Sequence, residues 1–255
     1  MSVRLQEKSW KEAEEAIEAS KGVAVIPVGS VEQHGYHLPL GTDSYVAISL
    51  AEDAAAKTGA LVAPPVWYGW SPHHMVLAGT VTIRAEVLIE LLYDIIMSLS
   101  RHGVTKFVVV NGHRVVNIPW MQIAAERAQN QLDVVVKLFD PAYMSKDIID
   151  RLSWPYIGHA DEIETSEMMY THPEMTRLEK AVDNPPVPQL LYSPDPSYPN
   201  DTLCYVPSTI NQARHNAKVA GGTGGEPSKS DAQKGKIYHE HLVSNLVDVI
   251  RSLQA

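Results

Sequence analysis

Four short apolar runs, Val23 to Val28, Leu61 to Ala63, Phe107 to Val110 and Val134 to Leu138, each stop at or just before Gly, Pro, Asn or Asp. Short valine-rich runs bounded by turn residues are expected to be strands buried on both faces. Around them lie longer segments with apolar residues at helical spacing: Trp10 to Ser20, Ser44 to Thr58, Ala85 to His102 and Ile118 to Asn130. Strands alternating with helices restrict the chain to an α/β class with a mainly parallel sheet covered on both faces. The last amphipathic stretch, Gln233 to Leu253, places Ile237, His241, Leu242, Leu246 and Ile250 near one face and is expected to pack as a closing helix.

The 255 residues, 45% of them apolar, suffice for a full core in a single domain over 1–255. A formal net charge of -9 leaves no basic stripe for a phosphate backbone, so no nucleic-acid partner is expected. No apolar run approaches the ~20 residues of a membrane span, and the N-terminal residues contain no signal-peptide core, so no membrane partner and a cytoplasmic location are expected. Cys204 is the single cysteine, which excludes an internal disulfide. Seven prolines between Asp183 and Pro207 exclude a regular helix or central strand there, and a long ordered loop is expected over about 183–207. Gly221-Gly-Thr-Gly-Gly225 lacks the Walker ending, so 221–228 reads as a mobile turn or lid.

Chemistry-bearing residues concentrate just after the strands. In an extended segment, Glu32 and His34 at i,i+2 point to the same side, as two ligands of one site would. Asp43 arrives at the start of the next helical segment, where Thr42 and Asp43 also suit a helix cap. Asn111-Gly-His113 follows another buried strand, at the sheet edge where open α/β sheets place their ligand sites. His159-Ala-Asp-Glu162-Ile-Glu164 forms a third cluster; an acidic helix start is its structural alternative. Carboxylates and imidazoles without a nearby thiolate suit zinc, manganese or iron(II) in a catalytic site.

These residues resemble the creatininase family. Pro27 to Asp43 is similar to its Pro-Val-Gly-x-x-Glu-Gln-His-Gly-x-His-Leu-Pro-x-x-Thr-Asp signature. Further similarities are Tyr68-Gly-Trp-Ser71, Gly79-Thr80, Asn111-Gly-His113 and His159 to Ser166, in the family's order. The resemblance implies a three-layer α/β/α domain, two divalent metal ions (zinc and/or manganese, with iron as a further candidate) and a homo-oligomer, commonly a hexamer. It implies that Glu32 and His113 hold one metal, His34 the other, that Asp43 bridges them and that His159 donates a proton.

One departure stands out. Creatininases carry Tyr-Glu after this histidine, with the Glu a metal ligand, whereas this chain has Arg114-Val115. The resemblance then points to Glu162 as the replacement ligand, with Glu164 supporting a neighbouring one. Arg114 and Ser71 are expected to contact substrate, and the guanidinium argues against creatinine itself. The implied activity is attack by metal-bound hydroxide on the carbonyl of a small cyclic molecule, a cyclic-amide C–N bond. One alternative is a C–C hydrolase opening a keto-inositol such as 3-dehydro-scyllo-inosose in inositol catabolism. Another is a non-catalytic, metal-stabilised scaffold.

Overall fold

A computed structural model describes residues 2–154, 157–185 and 209–255. Its sheet contains β1 (Val23–Val28), β2 (Leu61–Val62), β3 (Lys106–Asn111) and β4 (Val135–Phe139), in the order β2-β1-β3-β4 with every neighbour parallel. The helices are α1 (Trp10–Ala19), α2 (Thr42–Thr58), α3 (Ala85–Ser100), α4 (Ile118–Gln131), α5 (Pro141–Met144), α6 (Lys146–Arg151), α7 (Glu162–Thr171), α8 (Ile210–Ala220) and α9 (Ala232–Gln254).

Because strand side chains alternate, each strand serves two cores. Val23 and Val25 join Val108 and Val110 against Leu50 of α2, Ile163 of α7 and Leu242 and Leu246 of α9. Ala24, Ile26 and Val28 join Phe107 and Val109 against Ile17 of α1, Leu88 and Leu92 of α3 and Met121 of α4. The result is three layers, α/β/α. Each buried valine or leucine contributes roughly 1.5–3 kcal/mol relative to exposure. Alanines at 47, 51, 54 and 55 are all buried and present little bulk where α2 packs against the sheet and α9.

The buried stripe of α9 runs through Tyr238, Leu242, Leu246 and Ile250. Ile237 and His241 fall off it, contrary to expectation: Ile237 is 37% exposed and His241 Nε2 meets Asp147 Oδ1 at 3.1 Å. Tyr238, one turn before Leu242, is the larger apolar group and turns the helix toward itself. Of the proline-rich loop, only 183–185 are described; 186–207 and Cys204 lie outside the described residues. The glycine-rich segment is packed rather than lid-like. Gly221 ends α8 in left-handed conformation, Gly221 to Thr223 are buried, and Gly224 exchanges both backbone hydrogen bonds with His159. No helix among the described residues is long and apolar enough to cross a membrane.

Register positions the site. Val28 lies opposite Asn111, and Val110 opposite Phe139, so β1, β3 and β4 end at one edge of the sheet. The segments that leave there carry Glu32 and His34, His113 and Arg114, and Asp140, the edge at which parallel α/β sheets bind ligands.

Candidate metal centre

After β1 the chain folds back on itself: Val31 bridges Val81, and the Glu32 amide donates to Leu40 O at 2.8 Å. This return buries Glu32 and His34 completely. The cap of α2 is Gly41, so Asp43 lies inside the first turn and its carboxylate is free to face the histidines. Gly112 makes that meeting possible. A Cβ there would collide with the Asp43 carbonyl, so only glycine lets the end of β3 approach the start of α2 this closely.

His34 Nε2 lies 3.1 Å from Asp43 Oδ1, and His113 Nε2 lies 3.2 Å from Glu32 Oε2. His113 Nδ1 is 3.2 Å from Asp43 Oδ2, though without hydrogen-bond alignment. Among the described residues, three groups have metal-ligand spacing: Glu32, Asp43 and His113; His34, His159 and Glu164; and Glu32, His74 and His159. Glu32 Oε1 and Asp43 Oδ2 are buried without a hydrogen-bond partner among the described residues. Buried carboxylate oxygens are rarely left so, and a cation would satisfy both. An all-nitrogen-and-oxygen donor set suits zinc, manganese or iron(II), so the residues fit a metal pair.

The electrostatics agree. Burial pushes the Glu32 carboxyl up to about 7 against the pull of His113. Burial also opposes charge on His34 and His113, yet Asp43 raises His34 to about 10, and Glu32 with Asp43 raises His113 to about 9. Asp43 itself sits below the ordinary carboxylate range: burial opposes this, but His34 and His113 outweigh it. Without metal, two imidazoles are thus held as cations where a metal pair would place its charge. His159 and His74 fall well below the usual imidazole value, through burial and then through neighbouring histidines, and stay neutral.

The second half of the cluster is built from α7. Asp161 caps the helix by accepting from the Glu164 amide at 2.8 Å, and Ala160 before it has a positive φ of 49°. Glu164 Oε2 accepts from the Ala160 amide at 2.7 Å and lies 3.7 Å from His34 Nε2. Arg114 Nη2 holds the other oxygen, Oε1, at 2.6 Å. Glu162, expected as the replacement ligand, is not brought to the cluster. It accepts from Trp154 Nε1 at 2.7 Å and meets Lys234 Nζ at 3.4 Å. Two residues apart on a helix, the two acids face nearly opposite ways, and the cap orients Glu164 toward His34.

One further expectation needs correction. Ser71 is fully buried; its Oγ lies 2.7 Å from Ser30 Oγ and 3.3 Å from His113 Nε2, so it sits behind His113 and not on the cavity wall. Arg114 lines the cavity; its Nη2 pairs with Glu164 and with Asp161, 3.4 Å away, while Nε and Nη1 are unpartnered among the described residues. Beside it Val115, a β-branched residue, has a positive φ of 53°, with its amide donating to Asp140 Oδ2 at 2.8 Å. Strain of this kind is typical of functional edges.

The cluster opens on a cavity of about 440 Å³ whose walls include Gln33, His74, His159, Asn184, Gln212 and Asn216. Gln33 and His74 escaped sequence reasoning. The signal was present in the paired His73-His74 between two matched segments.

The family model described as creatinine amidohydrolase matches residues 6–250. The chain belongs to the creatininase family. It is 28% identical to a creatinine amidohydrolase of Pseudomonas putida, across 98% of this chain and 96% of that one. It is 32% identical to a 3-dehydro-scyllo-inosose hydrolase of Thermotoga maritima over 64% of this chain, a match that spans 54% of that relative's length. A creatininase variant described as Zn-Zn type superposes with a TM-score of 0.83 at 27% identity, covering 99% of this chain and 98% of that one. A manganese creatininase gives the same TM-score, identity and coverage. These relatives are named hydrolases or amidohydrolases, and this creatininase-family chain is a hydrolase.

Proposed function

We propose that the protein is a metal-dependent hydrolase that opens a small polar ring by adding water at a carbonyl carbon. The observation that carries it is the meeting of Glu32, Asp43, His113, His34 and Glu164 at a cavity, with two buried carboxylate oxygens unpartnered among the described residues. Glu32, Asp43 and His113 would hold one divalent cation and His34 and Glu164 the other, with Asp43 shared. When bound, such a pair acidifies water and polarises a carbonyl.

The chain's own residues supply the rest. His159, neutral and at the rim, takes a proton from the attacking water and returns it to the leaving atom. Arg114 fixes Glu164, and Ser71 with Ser30 supports His113 and Glu32. The bond cleaved is the C–N bond of a cyclic amide other than creatinine, whose recognition the Arg114-Val115 departure disfavours. A second reading, cleavage of a C–C bond in a keto-inositol, is favoured by the amide side chains of Asn184, Gln212 and Asn216 on the wall, which suit a ring bearing hydroxyls. Self-association is also proposed, supported by the exposed aromatic residues Tyr36, Trp67, Tyr68 and Trp70.

The test is a substrate panel of small lactams, creatinine, dihydropyrimidine-type rings and keto-inositols, offered to zinc- or manganese-loaded protein and read by NMR of the ring-opened product. Turnover of a lactam supports the first reading, and turnover of keto-inositol alone the second. Binding of a single metal per chain with no turnover would replace both with the scaffold.

A further inference from the structure

Gln33 lies between the ligand candidates Glu32 and His34, and its side-chain amide has only one orientation. The Gly35 amide donates to Gln33 Oε1 at 3.0 Å, and Gln33 Nε2 donates to Gly222 O at 3.3 Å. A backbone N–H can only donate and a carbonyl can only accept, so Nε2 is the nitrogen and has no lone pair to offer. His74 Nδ1 sits 2.7 Å from it and must therefore be the acceptor. A neutral imidazole that accepts at Nδ1 carries its proton on Nε2.

The same residue orders His159. Its Nε2 lies 2.7 Å from the backbone carbonyl of Gln33, a group that only accepts, so Nε2 carries a proton, and in the neutral ring Nδ1 is then the lone pair. Gln33 Nε2 also lies 2.8 Å from His159 Nε2, but the shorter approach of His159 Nε2 to the Gln33 carbonyl, which cannot donate, sets that nitrogen as a donor. Both rings are then the same tautomer, presented in opposite senses. His74 aims an N–H at Glu32 Oε1 from 3.5 Å, while His159 aims a lone pair at the same oxygen from 3.6 Å. These separations exceed a hydrogen bond. The His74 N–H and the His159 lone pair therefore both remain free for groups that enter the cavity.

We propose that His74 is a catalytic hydrogen-bond donor for the carbonyl oxygen of the substrate, and that Gln33 is the positioning residue that makes it a donor and keeps His159 an acceptor. The inference rests on the hydrolase reading above. It also removes His74 from the metal ligands, since the proton on Nε2 occupies the lone pair a cation needs. In the reaction, a bond forms between water oxygen and the ring carbonyl carbon while the carbonyl oxygen, gaining charge, draws on the His74 N–H, which stays on nitrogen. The water proton passes to His159 Nδ1. When the ring bond breaks, that proton passes to the departing atom and the carbonyl re-forms as a carboxyl group, so the only co-reactant is water.

Ring-15N-labelled histidine in zinc-loaded protein, read by long-range 15N–1H NMR, reports each tautomer without any substrate. The expected spectrum shows His74 and His159 each protonated at Nε2 and bare at Nδ1. In Gln33→Glu the new carboxylate accepts, so His74 should gain a proton at Nδ1 while His159 keeps its state through the unchanged backbone carbonyl. On a substrate found by the panel, kcat should fall about 100-fold with KM little changed, the loss expected for one such donor. Gln33→Met is the second variant should Gln33→Glu fold poorly, and it should mix the His74 tautomers. A zinc-ligated His74, a third zinc per chain or a proton on Nδ1 of either ring in the unmodified protein overturns the proposal. Failure to bind zinc at all, with both tautomers as stated, would instead reject the metal-dependent reading.

Discussion

The two halves of the cluster are made of different material. Glu32, Asp43 and His113 come from chain that leaves two adjacent core strands and from the helix between them, all buried and locked by the approach of Gly112 to Asp43. His34 shares that base, but its partner Glu164 depends on the start of α7, a strained Ala160, and a guanidinium that takes one of its oxygens. Coordinating atoms on strand ends inherit the rigidity of the sheet, whereas those on a helix start depend on local caps and ion pairs. The first position should therefore bind its cation more firmly than the second.

Asp43→Ala is the sharpest way to break this contrast, because its carboxylate faces both His34 and His113. Both cations should be lost and turnover abolished, as elemental analysis and the panel assay would read; retention of either at full occupancy would show that the halves are independent. Next in size, Glu164→Gln should release the second cation and leave the first, whereas Glu162→Gln should leave metal content unchanged and cost only about 1 kcal/mol through the Trp154 hydrogen bond. Calorimetric titration of the two variants with zinc checks this, and equal losses would mean that α7 is acting as a whole.

Arg114→Met should destabilise the metal-free protein by about 3 kcal/mol, since Glu164 and Asp161 would be left buried without their cation. Zinc should recover part of that loss, seen as a larger metal-induced rise in melting temperature than in the unmodified chain. A smaller effect comes from His239, which ties α7 to α2: Nδ1 lies 3.0 Å from Glu167 and Nε2 3.0 Å from Asp53. Burial opposes its charge, but these two carboxylates raise it to about 9. The stabilisation, on the order of 2 kcal/mol, is complete below the ordinary value near 6.5 and is lost as pH rises through about 9. His239→Gln should accordingly lower the melting temperature at pH 6 and hardly at all at pH 10; an equal drop at both would mean that the ring only fills space.

The first half was legible in the chain because strand ends preserve sequence order in space. Val28 and Asn111 stop level with each other, so motifs just beyond them meet. The second half was not, because its decisive facts are angular. Glu162 and Glu164 differ by a rotation of about 200° around a helix of 3.6 residues per turn, and their assignment depends on which residue is the cap. Asp161 caps α7, and this cannot be separated from caps at neighbouring acids by spacing alone. His74 was missed for a related reason: it reaches the site from a 3-10 turn, Pro72–Val76, where no periodicity marks the inward side.

The contact between Gly112 and the carbonyl of Asp43 also bears on how such a chain can vary. A methyl group at 112 would prise α2 from β3 and separate Asp43 from His113, so the hub tolerates almost no drift. Part of the rim is locked in the same way, where Gly158 meets the Gly224 carbonyl, but part of it is not. Val115 and the α8 residues Gln212 and Asn216 line the cavity without setting the spacing of the hub. Changes of substrate should therefore accumulate at the rim, around an unchanging bearing only as wide as one missing side chain.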